Sequence, residues 1–236
     1  RLRIPVPKFK NCAGFPPPPR PSAMPREIKV KVCGITNAED ALAAIEAGGD
    51  ALGFIFYEKS PRYVVPAVAA NIIAGLPPLV TPVGVFVNEG LATVRSIMET
   101  CRLAMAQLHG DENVSYCREL ARPAMKALRL KDRGSLLALA EYQGRGGVRG
   151  FVLDTFSELA YGGTGQITDW GLAADVAKST PILLAGGLTP GNVTEAIRIV
   201  RRYGVDVSSG VESAPGKKDH AKMRAFVDAV RVVSSS

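Results

Sequence analysis

Two polar residues in this sequence have the type and position that proton transfer requires. In the segment 29–35, strand alternation puts Lys31 and Cys33 on one face and the intervening valines on the other. In the segment 150–155 the same alternation turns Asp154 away from the large apolar side chains. Thiols and carboxyl groups both serve as general acids and bases. The pair therefore suggests two groups acting on opposite sides of one substrate.

Each of these two side chains also has a purely structural interpretation. Cysteine is often a small core residue, although an ammonium beside it, here Lys31, would favour the reactive thiolate of Cys33. Asp154 closes an apolar strand, where an unpaired buried carboxylate is expensive. It is therefore either a satisfied structural cap or an acid/base group.

Three further polar residues follow or end predicted strands. Arg62 lies in the loop after the second strand, where its fork could bind the carboxylate of a substrate. As a loop guanidinium, it should be removable without harm to the fold. Gln107 and His109 end the fourth strand and both point inward by alternation. Either residue is a ligand contact or a hydrogen-bonded residue of the rim.

The last two strands are followed by segments suited to an anion. Gly186 and Gly187 follow the seventh strand, and Ser208, Ser209 and Gly210 end the eighth. Glycines let backbone N–H groups approach a phosphate, hydroxyls add donors, and barrels commonly bind phosphate with these two loops. The alternative is that the two adjacent glycines only make a tight turn.

Eight strand-like segments alternate with eight helix-patterned segments, and together they must position these residues. The strands are predicted at 29–35, 51–57, 82–88, 103–109, 124–130, 150–155, 181–186 and 204–209, and the helices at 38–47, 66–76, 91–100, 112–121, 135–143, 169–178, 192–203 and 219–233. This alternation predicts a single (β/α)₈ barrel over residues 27–236. An open doubly wound sheet would usually carry G-x-G-x-x-G after its first strand, and that turn is absent. The glycine-rich loop Tyr161–Gly165 is predicted to be a mobile lid.

Composition restricts the possible partners. The formal net charge of the 236 residues is +7, but residues 1–26 hold six basic and no acidic residues, which leaves 23 basic and 22 acidic residues elsewhere. A nearly neutral body argues against nucleic acid binding. Residues 1–26 also hold eight of the 17 prolines, so we expect a proline-rich, disordered extension. No apolar run approaches the roughly 18 residues of a membrane span.

The cysteines and histidines indicate neither a disulfide framework nor a metal site. Cys12, Cys33, Cys101 and Cys117 form no C-x-x-C pair and have no zinc-type spacing with the two histidines. Cys101 and Cys117 fall on helical segments and are expected to be core residues. Reduced thiols favour a cytoplasmic location. We therefore expect no metal.

Eight short motifs, taken in order, resemble the phosphoribosylanthranilate isomerase family. They are K-V-C-G-I-T at 31–36, S-P-R-Y-V at 60–64, V-G-V-F-V-N at 83–88, Q-L-H-G at 107–110, V-L-D-T at 152–155, G-G-T-G at 162–165, A-G-G-L-T-P-G-N-V at 185–193 and D-V-S-S-G-V-E at 206–212. Each motif alone is ordinary, but the ordered set is specific and spans roughly residues 28–233. Only the extension departs from the pattern.

The resemblance implies an Amadori rearrangement of a phosphorylated sugar amine in tryptophan biosynthesis. It implies that Cys33 is the general base, that Asp154 is the general acid and that Arg62 binds the anthranilate carboxylate. The phosphate would be held by residues of the last two loops, namely Gly187, Ser208, Ser209 and Gly210. The substrate nitrogen becomes an iminium, so this chemistry needs no cofactor.

Two alternative functions fit these residues less well. A ribulose-phosphate 3-epimerase-like barrel binds a metal with two histidines and two aspartates, but His220 falls in the last helical segment and leaves His109 alone near the mouth. A catalytically silent phosphate-binding barrel would not need Cys33, Asp154 and Arg62 at three strand ends. The sequence is compatible with a monomer or a homodimer.

Overall fold

The computed structural model describes residues 27–130, 135–142, 147–155, 170–178, 180–200 and 203–234. The predicted extension at 1–26 and the predicted lid at Tyr161–Gly165 lie outside these ranges. In the described part of the chain, no helix combines the length and the apolar character needed to cross a bilayer.

In the described part of the chain, eight barrel strands alternate with eight helices, which confirms the predicted order. The strands are β1 (Lys29–Cys33), β2 (Ala51–Ile55), β3 (Thr81–Phe86), β4 (Met105–Leu108), β5 (Ala124–Leu130), β6 (Val148–Thr155), β7 (Ile182–Leu184) and β8 (Gly204–Val207). The helices are α1 (Ala38–Glu46), α2 (Pro66–Ala74), α3 (Leu91–Thr100), α4 (Val114–Leu120), α5 (Ser135–Tyr142), α6 (Trp170–Ala177), α7 (Val193–Val200) and α8 (His220–Ser234).

The strands form one closed barrel in which each pairs in parallel with the next along the chain. The barrel closes where β8 pairs with β1, with Lys31 opposite Asp206. Because every strand runs the same way, all carboxyl ends and the loops that follow them meet at one end of the barrel. That end contains all the candidate catalytic and substrate-binding residues.

Two apolar layers follow from strand alternation. The outward residues of the strands, such as Val30, Val32 and Leu153, pack with the helices in one large core cluster. A smaller cluster of Ala127, Val152, Leu183 and Ala185 is separate from it and belongs to the barrel interior. This separation confirms that Val152, and with it Asp154, faces inward.

Local sequence signals explain where several helices begin. Asn37 accepts a hydrogen bond from the backbone of Asp40 at the start of α1, and Asn113 does the same for Tyr116 at the start of α4. Pro66 is the first residue of α2, where its missing N–H leaves no intrahelical bond unmade.

The structure corrects the predicted elements in two ways. Several strands end earlier than predicted; β1 ends at Cys33 because Gly34 has φ +79°, a left-handed conformation outside the strand region. The chain between β8 and α8 was predicted as loop, but it contains a 3₁₀ turn (Ser209–Val211) and an antiparallel hairpin of β9 (Glu212–Ala214) and β10 (Lys217–Lys218). This hairpin lies at the active end of the barrel.

Candidate active site

Cys33 is the last residue of β1 and is buried inside the mouth of the barrel. It lies opposite Gly53 of β2, and a Cβ atom on that glycine would be only 2.7 Å from the Cys33 Sγ. A residue with any side chain at position 53 would therefore displace the thiol. The glycine provides the space in which Sγ sits.

Lys31 forms an ion pair with Asp206 deep in the barrel. Its Nζ lies 2.7 Å from Asp206 Oδ2, and both side chains are buried. Burial alone would lower the pKa of Lys31, but attraction and a hydrogen bond to the Asp206 carboxylate raise it above its ordinary value. Lys31 is therefore an ammonium ion, and it is held beside the thiol.

The ammonium of Lys31 favours the thiolate of Cys33, as expected, but the net pKa of the thiol is raised. Burial raises the pKa of the Cys33 thiol, and it outweighs the lowering caused by Lys31 and Lys218. The carboxylate of Asp206 adds to the rise, since it lies close enough to oppose a second negative charge. Cys33 at rest is a neutral thiol with a cation nearby.

Asp154, His109 and Gln107 lie together on the other side of the mouth, and all three are buried. Gln107 Nε2 lies 2.9 Å from His109 Nδ1, and His109 Nε2 lies 3.2 Å from Asp154 Oδ2. The last two atoms are in contact without the alignment of a hydrogen bond. The predicted inward direction of Gln107 and His109 is thus confirmed, and the imidazole faces the proposed acid.

Arg62 lies in the loop after β2, as predicted, but its side chain is buried. Only 8% of the residue is exposed, and its Nε and Nη2 donate to the two carboxylate oxygens of Glu212 at 2.9 and 2.7 Å. Glu212 also accepts from Lys218 Nζ at 2.8 Å. The expectation that this guanidinium can be lost without cost to the fold is therefore wrong, because its loss would leave a buried carboxylate with one partner fewer.

The two loops predicted to bind phosphate pack directly against each other. The Leu188 carbonyl oxygen would lie 1.9 Å from a Cβ atom on Gly210, so position 210 accepts no side chain. Gly187 has φ +65°, and its carbonyl accepts from Asn192 Nδ2 at 2.9 Å. Ser208 Oγ is buried and has no hydrogen-bond partner among the described residues.

Ser209 and Gly210 belong to the 3₁₀ turn that begins one residue after Ser208. The structure thus brings all four predicted phosphate residues to neighbouring loops at the same end of the barrel. A buried hydroxyl without a partner is costly unless a ligand or water satisfies it. This supports an anion-binding role for the Ser208 segment.

Three charged residues of the site were missed by sequence reasoning. Asp206 could have been found, because alternation from the inward Ser208 places it on the same face. Glu212 and Lys218 gave weaker signals. The sequence signal near them was Pro215-Gly216, a turn dipeptide that indicates a hairpin between Glu212 and Lys218.

The remaining cysteines and histidine do not belong to the site. Cys101 and Cys117 are buried free thiols of the outer core, as expected. His220 begins α8, and its Nε2 lies 2.8 Å from Asp40 Oδ1. Over the described ranges, no three His, Cys, Asp or Glu side chains are grouped so that they could hold a metal ion.

Comparisons with known proteins agree with this geometry. Residues 30–229 match the family model described as N-(5'phosphoribosyl)anthranilate (PRA) isomerase. An N-(5'-phosphoribosyl)anthranilate isomerase of Geotalea uraniireducens is 55% identical over 199 residues, covering 84% of this chain and 96% of the relative. The protein of the same name from Geobacter sulfurreducens is 52% identical over 200 residues, covering 85% and 97%.

Solved structures give the same result. Phosphoribosyl anthranilate isomerase from Thermotoga maritima superposes with a TM-score of 0.80 at 39% identity, covering 87% of this chain and 99% of that one. A structure of phosphoribosyl anthranilate isomerase in complex with reduced 1-(o-carboxyphenylamino)-1-deoxyribulose 5-phosphate gives a TM-score of 0.77 at 40% identity, with the same coverage.

Proposed function

The chain belongs to the phosphoribosylanthranilate isomerase family, and from this premise we propose that Cys33 and Asp154 carry out the proton transfers of its reaction. The reaction converts N-(5-phosphoribosyl)anthranilate to 1-(2-carboxyphenylamino)-1-deoxyribulose 5-phosphate, an aldose-ketose isomerisation in tryptophan biosynthesis. It requires one proton to be delivered and another to be removed.

Asp154 is the proposed general acid. It gives a proton to the furanose ring oxygen while the bond from that oxygen to C1′ breaks and the nitrogen lone pair forms the iminium. The contact with the His109 imidazole places a polar group beside the carboxylate that this step leaves behind. His109 and Gln107 are proposed to line the substrate site at this point.

Cys33 is the proposed general base. It takes the proton from C2′, and the electrons of that bond move to the iminium nitrogen to give an enolamine, which tautomerises to the ketone. Lys31 lies beside the thiol and stabilises its thiolate form, so the pKa of Cys33 is lower than it would be in a purely apolar pocket. Burial nevertheless keeps this pKa above its ordinary value. Because the iminium nitrogen accepts the electrons, the chemistry itself needs no metal or organic cofactor.

The two ends of the substrate have proposed anchors. Gly187, Ser208, Ser209 and Gly210 hold the phosphate, which satisfies the buried Ser208 hydroxyl. Arg62 holds the anthranilate carboxylate with the N–H groups that Glu212 leaves available. The related structure with the reduced product analogue contains both anionic groups in one ligand, which supports a site built with two anion anchors.

The setting of the enzyme follows from the same residues. We propose a small phosphorylated molecule as the ligand, no nucleic acid partner and a cytoplasmic location. The nearly neutral net charge of residues 27–236 supports the absence of a nucleic acid partner. The free thiols of Cys33, Cys101 and Cys117 support the cytoplasmic location. Either a monomer or a homodimer is compatible with this site.

The observation that carries the proposal is that Cys33 ends β1, that Asp154 lies one residue before the end of β6, and that both are buried at the mouth of one barrel. The test is to supply phosphoribosylanthranilate and follow the loss of its anthranilate-type fluorescence. Absence of turnover by folded protein would contradict the proposal. Turnover should survive a chelator, whereas a strict requirement for a divalent metal would favour an epimerase-like barrel.

A further inference from the structure

Lys218 of β10 is a buried lysine that connects three parts of the site. Burial lowers the pKa of its ammonium group, and attraction and a hydrogen bond to Glu212 oppose that lowering. Its Nζ donates to the Cys33 carbonyl at 2.6 Å, to Glu212 Oε1 at 2.8 Å and to the Ser208 carbonyl at 3.3 Å. An ammonium has three donors, so all of them are used. One side chain thus contacts the end of the base-bearing strand, the start of the phosphate segment and the partner of Arg62.

The backbone of Lys218 is fixed from outside the barrel. Its N–H donates to Asp40 Oδ2 at 2.9 Å, and the other oxygen of Asp40 lies 2.8 Å from His220 Nε2. Asn37 Nδ2 also donates to Asp40. Because α1 and α8 hold β10 in this way, the ammonium has a defined position.

Glu212 is shared between two cations. It accepts two hydrogen bonds from Arg62 and one from Lys218, so the three side chains carry a formal net charge of +1. With Glu212 as its only neighbour, Arg62 would be neutralised, and a substrate carboxylate would compete with Glu212 for the same guanidinium. Lys218 offsets the charge of Glu212, so one positive charge remains for an incoming anion.

Arg62 itself is placed for this task. Its side chain crosses the residue after Cys33, because a Cβ atom on Gly34 would be 2.8 Å from Arg62 Cδ and 3.2 Å from Ser208 Oγ. Glu212 engages Nε and Nη2 of the guanidinium. Within the described ranges, Nη1 has no protein acceptor and is left for a ligand.

We propose that Lys218 is a positioning residue that sets the carboxylate specificity of the enzyme by neutralising Glu212 and keeping Arg62 electrostatically available to the substrate. This inference rests on the isomerase function proposed above. It adds a role for the β9–β10 hairpin, which contributes none of the proton-transfer groups.

The test compares Lys218→Met with the parent. Binding is measured for two probes, reduced 1-(o-carboxyphenylamino)-1-deoxyribulose 5-phosphate and the same compound without its carboxylate. We expect Lys218→Met to lower the affinity for the carboxylated probe by about tenfold or more, which is the scale of one lost charge contact. The affinity for the other probe should fall by less than about threefold. Equal weakening of both probes would overturn the proposal and make Lys218 a structural contact only.

Lys222→Met is the matched control. Lys222 Nζ donates to the backbone carbonyl of Glu212 at 3.0 Å, so this variant also removes one positive charge beside Glu212, without touching its carboxylate. We expect the affinity for both probes to change less than about twofold, since an exposed charge is screened by solvent. A loss of carboxylate selectivity as large as that of Lys218→Met would show that general charge, not the position of Lys218, is responsible.

The double variant Lys218→Met/Glu212→Gln separates charge from packing. It removes the charges of both Lys218 and Glu212, so the net charge of the cluster is +1, as in the parent, and is carried by Arg62. Because it leaves no uncompensated buried carboxylate, this variant can still test the proposal if Lys218→Met fails to fold. Its affinity for the carboxylated probe should lie within about threefold of the parent, a difference of well under one tenfold step. A tenfold or greater loss in the folded double variant would contradict the proposal.

The parent enzyme distinguishes this proposal from the function it rests on. If the parent turns over phosphoribosylanthranilate and prefers the carboxylated probe, the proposed function stands whatever the Lys218 variants do. If the parent does neither, the proposed function fails before the role of Lys218 is reached. The ratio of the two probe affinities is a readout that a general loss of stability would not move.

Discussion

The imidazole of His109 lies against the carboxylate of Asp154, with Nε2 3.2 Å from Oδ2. On the far side of the ring, the Gln107 amide is 2.9 Å from Nδ1. If the amide donates to Nδ1, the ring proton is on Nε2 and faces Asp154. The imidazole is then placed to stabilise the carboxylate that remains once Asp154 has given up its proton.

This arrangement predicts that His109 acts through Asp154. His109→Ala should lower kcat by about ten- to a hundredfold, less than replacement of the acid itself. In the double variant with Asp154→Asn, kcat should fall no further than in Asp154→Asn alone, because the two residues serve one step. Losses that multiply in the double variant would show that His109 has an independent function. The measurement is kcat for the three variants, with circular dichroism as the folding control.

Cys33 and Asp154 should each be necessary for turnover. Asp154→Asn keeps the shape but removes the proton donor, and Cys33→Ser keeps a small polar group that is far too weakly acidic to become a base. Each change should lower kcat by about 10²–10⁴-fold with little change in substrate affinity. Near-parental turnover by folded Cys33→Ser would make the thiol a core residue and His109 the next candidate for the base.

The raised pKa of Cys33 predicts the shape of the pH profile. Only the thiolate can remove a proton, so kcat/KM should increase with pH along a limb whose apparent pKa lies above the ordinary thiol value of 9.0. The measurement is kcat/KM against pH in buffers of equal ionic strength. A limb with its midpoint well below that value would mean that Lys31 outweighs burial, or that another group titrates.

Arg62→Ala should damage both binding and stability. The loss of two charged hydrogen bonds from a buried carboxylate should lower the free energy of unfolding by about 2–3 kcal/mol. Binding of the carboxylated substrate should weaken, while a substrate lacking the carboxylate should be affected much less. Urea denaturation and KM for the two substrates test this. Equal loss for both substrates would contradict the assigned role.

Glu212 predicts a loss of stability in acid. Burial opposes its ionised form, but hydrogen bonds from Arg62 and attraction to Lys218 hold the pKa of Glu212 below its ordinary value of 4.5. The folded state therefore gains stability above pH 4.5 and loses it as the pH falls through the lower, folded-state pKa. The parent should exceed Glu212→Gln in unfolding free energy near neutral pH, and this difference should shrink below pH 4.5. A difference that is constant from pH 7 to pH 3 would exclude this explanation.

Particular residues explain why the sequence predicted some parts of this site and not others. Cys33 and Asp154 follow from local rules, because alternation within one strand decides which face a side chain occupies. The pairing of Arg62 with Glu212 joins positions 150 residues apart, and no local pattern encodes such a contact. The raised pKa of Cys33 was missed for the same reason, since burial by surrounding strands outweighs the adjacent Lys31.

The seam between β1 and β8 also predicts when the enzyme becomes active during its synthesis. Lys31 meets Asp206 across 175 residues of chain, and the Cys33 carbonyl meets Lys218 across 185. A nascent chain that has left the ribosome only as far as β7 already holds Cys33 and Asp154, but Lys31 has no counterion and Arg62 has no Glu212. Such long-range contacts form late, because loop closure precedes them. Ribosome-bound intermediates should therefore be inactive until the last strand and the hairpin have emerged.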